Sequence, residues 1–217
     1  STVDYKRPAE QLDWMLGQGV SVSMYMFHGG TNFWYMNGAN TAGGYRPQPT
    51  SYDYDAPLGE WGNCYPKYYA FREVIQKHLP HGTVLPEVPA DNPTTTFATI
   101  ELKESAPLQA AFHQTTESEN VLSMEDLGVD FGYIHYQTTI NKAGKQKLII
   151  QDLRDYAVIL VDGKQVASLD RRYNQNNVML DIQKAPATLE ILVENTGRVN
   201  YGPDILFNRK GITNQVL

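Results

Sequence analysis

The sequence contains a single cysteine, Cys64, so no disulfide can form within the chain and cysteine usage does not reveal its compartment. It has no apolar run long enough to cross a membrane. Lys and Arg number 18 against 24 Asp and Glu, the formal net charge is −6, and the basic residues form no cluster. These features argue against nucleic acid and against a membrane as partners.

The usual signatures of metal and cofactor sites are also missing. The His, Cys and carboxylate residues show no metal-ligand spacing, so no metal site is predicted. The glycine pairs Gly29-Gly30 and Gly43-Gly44 are not followed by Lys-Ser/Thr at a helix start, so they do not form a phosphate-binding loop. No cofactor is therefore expected. Because the chain opens at Ser1 with neither a Met nor a signal-like segment, we expect a piece of a longer protein.

The first 80 residues mix helical and extended patterns. Apolar spacing and proline positions predict helices over 8–17 and 66–79. Period-2 alternation predicts a strand over 20–27, followed by a loop over 28–64. A helix–strand–loop–helix segment cannot bury its own apolar faces, so we expect it to need neighbours.

The remainder of the chain predicts an all-β domain. Residues 81–96 are rich in Pro and Thr and predict a linker, and residues 97–217 form the domain. The Asp162-Gly163 pair predicts a two-residue hairpin turn. Many short strands at this spacing favour a sandwich or jelly roll. The predicted strands are 97–102, 108–113, 131–140, 146–151, 156–161, 165–169, 177–182 and 187–194.

The long loop after the predicted strand 20–27 is the main candidate for function. The strand runs into Gly29-Gly30, where the chain must turn and its backbone must come close to another group. The loop is dense in Tyr, Trp, Asn and Gly, and the whole chain has 14 Tyr. Tyrosine offers an apolar face and a hydroxyl, which suits sugar surfaces but also core edges. Loops that follow strand ends are where α/β enzymes bind substrates.

The segment Ser51-Tyr-Asp-Tyr-Asp55 allows three interpretations. Alternation in an extended chain places Tyr52 and Tyr54 on one side and Asp53 and Asp55 on the other. In the first interpretation the aspartates cap turns and the tyrosines pack. In the second the tyrosines face a sugar while the aspartates hold the loop in shape. The third, a glycosidase acid/base pair, is disfavoured because residues two apart do not flank a scissile bond.

A few other residues of the loop are candidates for a role in the site. Glu60 is the one further carboxylate worth considering for acid/base chemistry, whereas a structural role is favoured for His28. Trp34 could offer a stacking surface or pack in the structure. Asn32 and Trp34, together with Asp53 and Asp55, are candidates for pocket or loop support.

Several segments closely resemble the β-galactosidases of glycoside hydrolase family 35. The resemblance is carried by Tyr25-Met-Phe27, Gly29-Gly-Thr-Asn-Phe33, Asn37-Gly-Ala-Asn40, Gln48-Pro-Thr-Ser-Tyr-Asp-Tyr-Asp-Ala-Pro-Leu58, Lys67-Tyr-Tyr-Ala-Phe-Arg72 and Val193-Glu-Asn-Thr-Gly-Arg-Val-Asn-Tyr-Gly202. It extends from about residue 3 to the C-terminus. The eleven-residue run that ends at Leu58 is the most specific of these matches.

The resemblance implies an α+β composite fold, in which the C-terminal end of a (β/α)8 TIM barrel precedes an all-β jelly-roll or sandwich domain of the galactose-binding type. Residues 1–80 correspond to the end of the barrel, 81–96 to a linker and 97–217 to the β domain. The implied partners are a β-galactoside sugar and the rest of the same polypeptide, namely an upstream barrel and a downstream β domain. The family further implies a secreted, periplasmic or lysosomal-type compartment.

The resemblance also implies which residues contact the sugar. Tyr54 resembles the family tyrosine whose hydroxyl reaches the sugar and the nucleophile, and Tyr25 and Tyr52 resemble aromatic walls of the same galactose site. Neither of the two catalytic glutamates of the family matches a residue of this chain, so we expect the chain alone to be inactive. The alternative is a self-contained carbohydrate-binding module without hydrolytic activity.

Overall fold

A computed structural model describes residues 4–112 and 114–217, which group into two compact units. Ser1–Asn32 and Pro49–Ser105 form the first, which we call the helical unit. Phe33–Gln48 and Ala106–Leu217 form the second, which we call the β unit. The division of the sequence at residues 80 and 97 stays a prediction.

Two helices pack together in the helical unit. Helix α1 spans Lys6–Gly17 and helix α2 spans Pro66–His78, close to the predicted ranges. Proline is the first residue of α2, where its missing N–H costs no helical hydrogen bond. Lys77 donates to Asp13 across the helix pair at 2.9 and 2.7 Å. Hydrogen bonds with Lys77 and then His78 lower the pKa of Asp13.

The strand predicted over residues 20–27 does not form. This segment is irregular. Its end contacts Leu58, through a parallel bridge between His28 and Leu58 and a 3.1 Å hydrogen bond from the Leu58 N–H to the Phe27 carbonyl. A strand needs hydrogen-bonded neighbours along its length. The alternating pattern is present in the sequence, but no other described segment pairs with it over more than this point.

The β unit is built mainly of antiparallel strands. They are β1 Gly38–Asn40, β2 Arg46–Pro47, β3 Tyr133–Ile140, β4 Gly144–Ile149, β5 Leu153–Arg154, β6 Tyr156–Val161, β7 Lys164–Asp170, β8 Asn177–Ile182, β9 Ala187–Glu194, β10 Arg198–Tyr201 and β11 Gly211–Ile212. The largest sheet has the order β3-β9-β6-β7, while β4 pairs with β8 and β5 with β11. Strand β1 pairs with β2 and, in parallel, with β10.

The core of the β unit follows from strand alternation. Along β9, Ala187, Leu189, Ile191 and Val193 are buried and the residues between them are less so. They pack with buried residues of the neighbouring strands in one apolar cluster. The predicted hairpin turn is confirmed between β6 and β7, because Asp162 and Gly163 both have the positive φ that a type I′ turn requires.

Two predicted strands of the β region are wrong over the residues that the structure describes. Residues 97–102 have no regular structure, and their apolar side chains are exposed because no neighbouring strand covers them. Leu108–Ala111 forms a short 3-10 helix in place of a strand, after Pro107. Position 113 of that prediction lies outside the described residues.

Residues 33–48 belong to the β unit although 32 and 49 belong to the helical unit. Within the β unit, the Asn37 side-chain amide donates to the Gln48 and Thr196 carbonyls at 2.9 and 2.8 Å. We call residues 33–48 the inserted segment.

Neither described helix is long and apolar enough to span a bilayer.

Candidate functional site

Three tyrosines predicted to bind the sugar come together in the helical unit. The rings of Tyr52 and Tyr54 lie 5.1 Å apart with an interplanar angle of 52°. A hydrogen bond with Tyr25 raises the pKa of the Tyr52 hydroxyl, with a smaller contribution from burial. Tyr54 is 68% exposed and Tyr25 is also exposed, so their aromatic surface and hydroxyls are accessible to a ligand. We call Tyr25, Tyr52 and Tyr54 the tyrosine cluster.

Close backbone approach at Gly29 brings the segments of the tyrosine cluster together. A Cβ atom at Gly29 would lie 1.7 Å from the Tyr52 carbonyl oxygen, so a side chain cannot fit there. The Tyr52 N–H donates to the Gly30 carbonyl at 3.0 Å. The prediction that the glycine pair allows a close contact is confirmed at Gly29, where the contacting group is the backbone of the tyrosine segment.

Asn32 also links the glycine segment to the tyrosine segment by hydrogen bonds. Its N–H donates to the Thr50 carbonyl at 2.7 Å, and its side-chain amide donates to the Pro49 carbonyl at 2.8 Å. The backbone on either side of the inserted segment is therefore joined by Asn32. This geometry is that of a residue that supports the loop.

The two aspartates of the tyrosine segment shape its turn. Tyr54 and Asp55 have positive φ, so the chain turns here instead of continuing extended. Asp53 accepts from the Asp55 N–H at 2.9 Å and from the Tyr65 hydroxyl at 3.1 Å. Asp55 forms an ion pair with Lys67 at 2.9 Å. These contacts favour the interpretation in which the aspartates hold the loop while the tyrosines are presented.

Glu60 connects two segments through hydroxyl groups. One carboxylate oxygen accepts from the Thr31 hydroxyl at 2.7 Å and the other accepts from the Ser51 hydroxyl. The hydrogen bond from Ser51, followed by that from Thr31, lowers the pKa of Glu60. A general acid needs a raised pKa, so this carboxylate is suited to holding the loop and not to donating a proton. His28 Nε2 lies 3.3 Å from the Glu60 carbonyl oxygen, which agrees with a structural role.

Trp34 lies in the inserted segment and belongs to an aromatic group of the β unit. Its ring centroid is 5.0 Å from that of Phe131 and 5.7 Å from that of Tyr35. Tyr35 in turn contacts Tyr133 edge-on at 5.4 Å. Trp34 is nevertheless 70% exposed.

A buried charged cluster in the β unit was not predicted from the sequence. Asp155 Oδ2 accepts from Lys210 Nζ at 2.6 Å and from the Tyr45 hydroxyl at 2.8 Å, while Oδ1 accepts from Arg171 at 2.9 Å. We call Tyr45, Asp155, Arg171 and Lys210 the buried cluster. It connects Tyr45 of the inserted segment to the strands of the β unit.

Burial changes the acidity of two members of the buried cluster. Removal from water lowers the pKa of Lys210 to about 8, although Asp155 opposes this shift. Burial, with the Asp155 charge next in importance, raises the pKa of the Tyr45 hydroxyl well above its usual value. The sequence gives no sign that these side chains form a buried cluster, because isolated Asp and Lys residues usually lie at the surface.

Residues 4–112 and 114–217 contain no group of three or more His, Cys, Asp or Glu side chains arranged to hold a metal ion. The groups that the structure gathers at the tyrosine cluster are hydroxyls, aromatic faces and the surrounding carboxylates.

Comparison with known proteins gives matches in both parts of the chain. Residues 1–78 match the sequence model for glycosyl hydrolases family 35, and residues 121–217 match that for the first all-beta domain of beta-galactosidase. The "Beta-galactosidase" of Xanthomonas manihotis is 40% identical over 221 residues, covering 100% of this chain and 37% of that protein. The "Beta-galactosidase" of Mus musculus is 43% identical over 217 residues, covering 93% of this chain and 32% of that protein.

One solved structure, a GH2 beta-galacturonidase from Eisenbergiella tayi bound to galacturonate, aligns with 48% of this chain and 21% of its own at 24% identity. The TM-score of that alignment is 0.37, which is too low to indicate a shared fold. The chain spans about a third of the length of the curated relatives that it matches. The family resemblance seen in the sequence is confirmed by the two profile matches and by these relatives. The chain belongs to glycosyl hydrolase family 35, and it combines part of the family region with the all-β domain that follows.

Proposed function

We propose that the longer protein containing this chain is a retaining β-galactosidase that hydrolyses terminal, non-reducing β-D-galactose. This chain supplies part of the wall of the galactose pocket through Tyr25, Tyr52 and Tyr54, while the catalytic glutamates lie outside it. The observation that carries the proposal is that Tyr25, Tyr52 and Tyr54 come together on one loop framework, with Tyr25 and Tyr54 exposed. Relatives named beta-galactosidase support the choice of substrate.

The proposal includes a finer fold assignment. Residues 1–80 form the C-terminal end of a (β/α)8 barrel, residues 81–96 a linker, and residues 97–217 a jelly-roll or sandwich domain. The packed helices α1 and α2 and the antiparallel sheets of the β unit support this assignment. Pocket residues of such barrels come from loops after the strands, and the tyrosine loop follows residues 20–27, which alternate like a strand but are not paired as one in the structure.

The mechanism that fits this proposal is double displacement. One carboxylate attacks the anomeric carbon, a carboxylic acid protonates the leaving oxygen, and water then releases galactose. The Tyr54 hydroxyl would donate to the sugar or the nucleophile, and the faces of Tyr25 and Tyr52 would orient the ring. Asp53, Asp55 and Glu60 act indirectly, because their contacts hold the loop that carries the tyrosines.

The test is hydrolysis of an aryl β-galactoside by a chimera in which these residues replace the matching part of the relative from Xanthomonas manihotis. The chimera should be active, whereas the 217-residue chain alone should be inactive. Tyr54→Phe should lower kcat/KM by about 10- to 100-fold, since a hydrogen bond to a charged group contributes about 1.5–3 kcal/mol.

Tyr173→Phe is the matched control, because Tyr173 is also 68% exposed but lies in the β unit, beside Arg172. It should leave kcat/KM unchanged. Equal effects of the two substitutions would remove Tyr54 from the site. Turnover by the isolated chain that persists through repurification would reject the assignment of the catalytic groups to other parts of the protein, and would make Asp53, Asp55 and Glu60 the candidates.

A further inference from the structure

The aromatic group of the β unit combines exposure with support from neighbouring rings. Trp34 leaves 70% of its surface open to solvent. It is contacted by Phe131 edge-on at 5.0 Å and by Tyr35 at 5.7 Å, and Tyr35 contacts Tyr133 at 5.4 Å. Edge-to-face contacts of this kind fix ring positions while leaving aromatic surface available. We call Trp34, Tyr35, Phe131 and Tyr133 the aromatic platform.

The backbone at Trp34 argues against a role in stability alone. Trp34 has φ of +56°, in the left-handed region that disfavours residues with a Cβ. A glycine would adopt this conformation without strain, and a tryptophan that stabilises a core is mostly buried. The chain therefore keeps a large, exposed ring at a position where the backbone favours glycine. Strained residues of this kind tend to occur at binding sites.

The part of the inserted segment next to Trp34 is held in place. The Asn37 side-chain amide donates to the Gln48 and Thr196 carbonyls, and the Asn37 backbone carbonyl accepts from the Arg198 N–H at 3.2 Å. Farther along, the Tyr45 hydroxyl is fixed by Asp155. A ring on a fixed backbone loses little conformational entropy when a ligand binds.

Polar groups accompany the rings of the aromatic platform. Tyr133 lies opposite Glu194 in the register of β3 and β9, and its ring contacts that of Tyr35 edge-on. Burial raises the pKa of Glu194, while the hydrogen bond from Tyr133 opposes the shift. The platform thus offers apolar faces next to hydroxyls and a carboxylate. A pyranose ring has the complementary surface, with C–H groups on one face and hydroxyls around its edge.

We propose that the aromatic platform is a second saccharide-binding site, on which a pyranose ring of a β-galactoside stacks against Trp34 while its hydroxyls bond to Tyr35, Tyr133 or Glu194. The platform is composed only of residues of the β unit and is separate in composition from the tyrosine cluster. The choice of a galactoside rests on the proposed function, whereas the site itself rests on the rings, their polar neighbours and the conformation of Trp34.

The experiment is a titration of the 217-residue chain with lactose, followed by NMR of the indole N–H groups of its three tryptophans. The Trp34 signal should shift saturably with Kd of about millimolar, and those of Trp14 and Trp61 should not. Trp34→Gly should weaken lactose binding by about tenfold or more, since a ring contact is lost. The thermal midpoint of this variant should be unchanged or higher, because glycine relieves the positive φ.

Trp14→Ala is the matched control, since Trp14 is 67% exposed but lies on helix α1, and it should leave lactose binding unchanged. No saturable shift at Trp34, or equal shifts at all three indoles, would overturn the proposal. A Trp34→Gly variant that unfolds or melts earlier would identify Trp34 as a packing residue and overturn it too. Hydrolysis by the chimera without lactose binding at Trp34 would reject the platform alone. Lactose binding without hydrolysis would reject the proposed function alone.

Discussion

Replacing Asp155 by Asn should destabilise the β unit strongly. Asp155 is 1% exposed and is the only carboxylate that the structure records within hydrogen-bonding distance of Lys210 Nζ, at 2.6 Å. Lys210 is fully buried, and Arg171 also donates to Asp155. Asn keeps the size of the side chain but removes its charge, so two cations lose their counter-charge. Breaking one side of a buried ion pair costs about 3–5 kcal/mol in the free energy of unfolding.

The measurement is urea unfolding followed by far-UV circular dichroism, which reports the strands of the β unit. Arg209→Ala is the matched control, because Arg209 precedes Lys210 in the chain but pairs with Asp126 at the exposed surface. Surface pairs contribute about 0–1 kcal/mol, so this variant should differ little from the original chain.

A second substitution separates charge from shape. Lys210→Met in the Asp155→Asn background removes one uncompensated cation, so the double variant should recover part of the lost stability. The reasoning is refuted if Asp155→Asn costs no more than Arg209→Ala, or if the two substitutions in the cluster simply add.

Two further predictions concern stability. The unfolded chain holds the Lys210 proton to a pH near 10.5, whereas the folded chain releases it near 8, so the free energy of unfolding should rise between about pH 8 and 10 by up to about 1.4 kcal/mol per pH unit. Above pH 10.0, the usual pKa of Tyr, the raised pKa of Tyr45 acts in the opposite direction, so the free energy of unfolding should fall. Urea unfolding at several pH values measures both trends. A rise between pH 8 and 10 that persists in Lys210→Met would contradict the assignment of that rise to Lys210. Gly29→Ala should lower the free energy of unfolding by about 1–3 kcal/mol, because the new Cβ would lie 1.7 Å from the Tyr52 carbonyl oxygen. Gly17→Ala is the control and should be neutral in thermal unfolding, because its Cβ would make an ordinary contact at 3.6 Å. Equal effects of the two substitutions would refute the close approach at Gly29.

Local patterns predicted those elements whose causes are local. Helix α2 begins at Pro66 because proline suits the first helical position. The hairpin turn at Asp162-Gly163 forms because these residues tolerate positive φ. Strand β9 forms over the predicted range because every second residue is apolar and faces the core.

Elements that depend on distant partners were not predictable in the same way. Residues 20–27 have a strand pattern but find no partner along their length, so the pattern alone gave a wrong strand. Strands β1 and β10 pair in parallel although about 160 residues separate Gly38 from Arg198, and neither has a strong strand pattern. Pairing is a property of two segments, and a window along the sequence contains only one of them.

The sequence named the tyrosines of the candidate site but not the contacts that support them. Tyr52 and Tyr54 were expected on one side of an extended segment, and their rings do lie 5.1 Å apart, although the chain turns at Tyr54 and is not extended there. Their role, and that of Tyr25, which the family resemblance added, stay predictions. The hydrogen bonds from Thr31 and Ser51 to Glu60 could not be inferred, because they join three separate positions of the loop. Nor could the burial of Lys210, because a lysine in a polar segment is ordinarily solvated.

The contacts of Asp53, Asp55 and Glu60 indicate that these carboxylates hold the loop in shape. Retaining hydrolysis needs one free carboxylate to attack and one carboxylic acid with a raised pKa, about 5–5.5 Å apart across the scissile bond. Asp53 accepts two hydrogen bonds, and Asp55 is neutralised by Lys67. The two hydroxyls that donate to Glu60 lower its pKa, which is the wrong direction for an acid. The three carboxylates therefore hold the segments on either side of Tyr52 and Tyr54, which is the loop that we propose contacts the sugar.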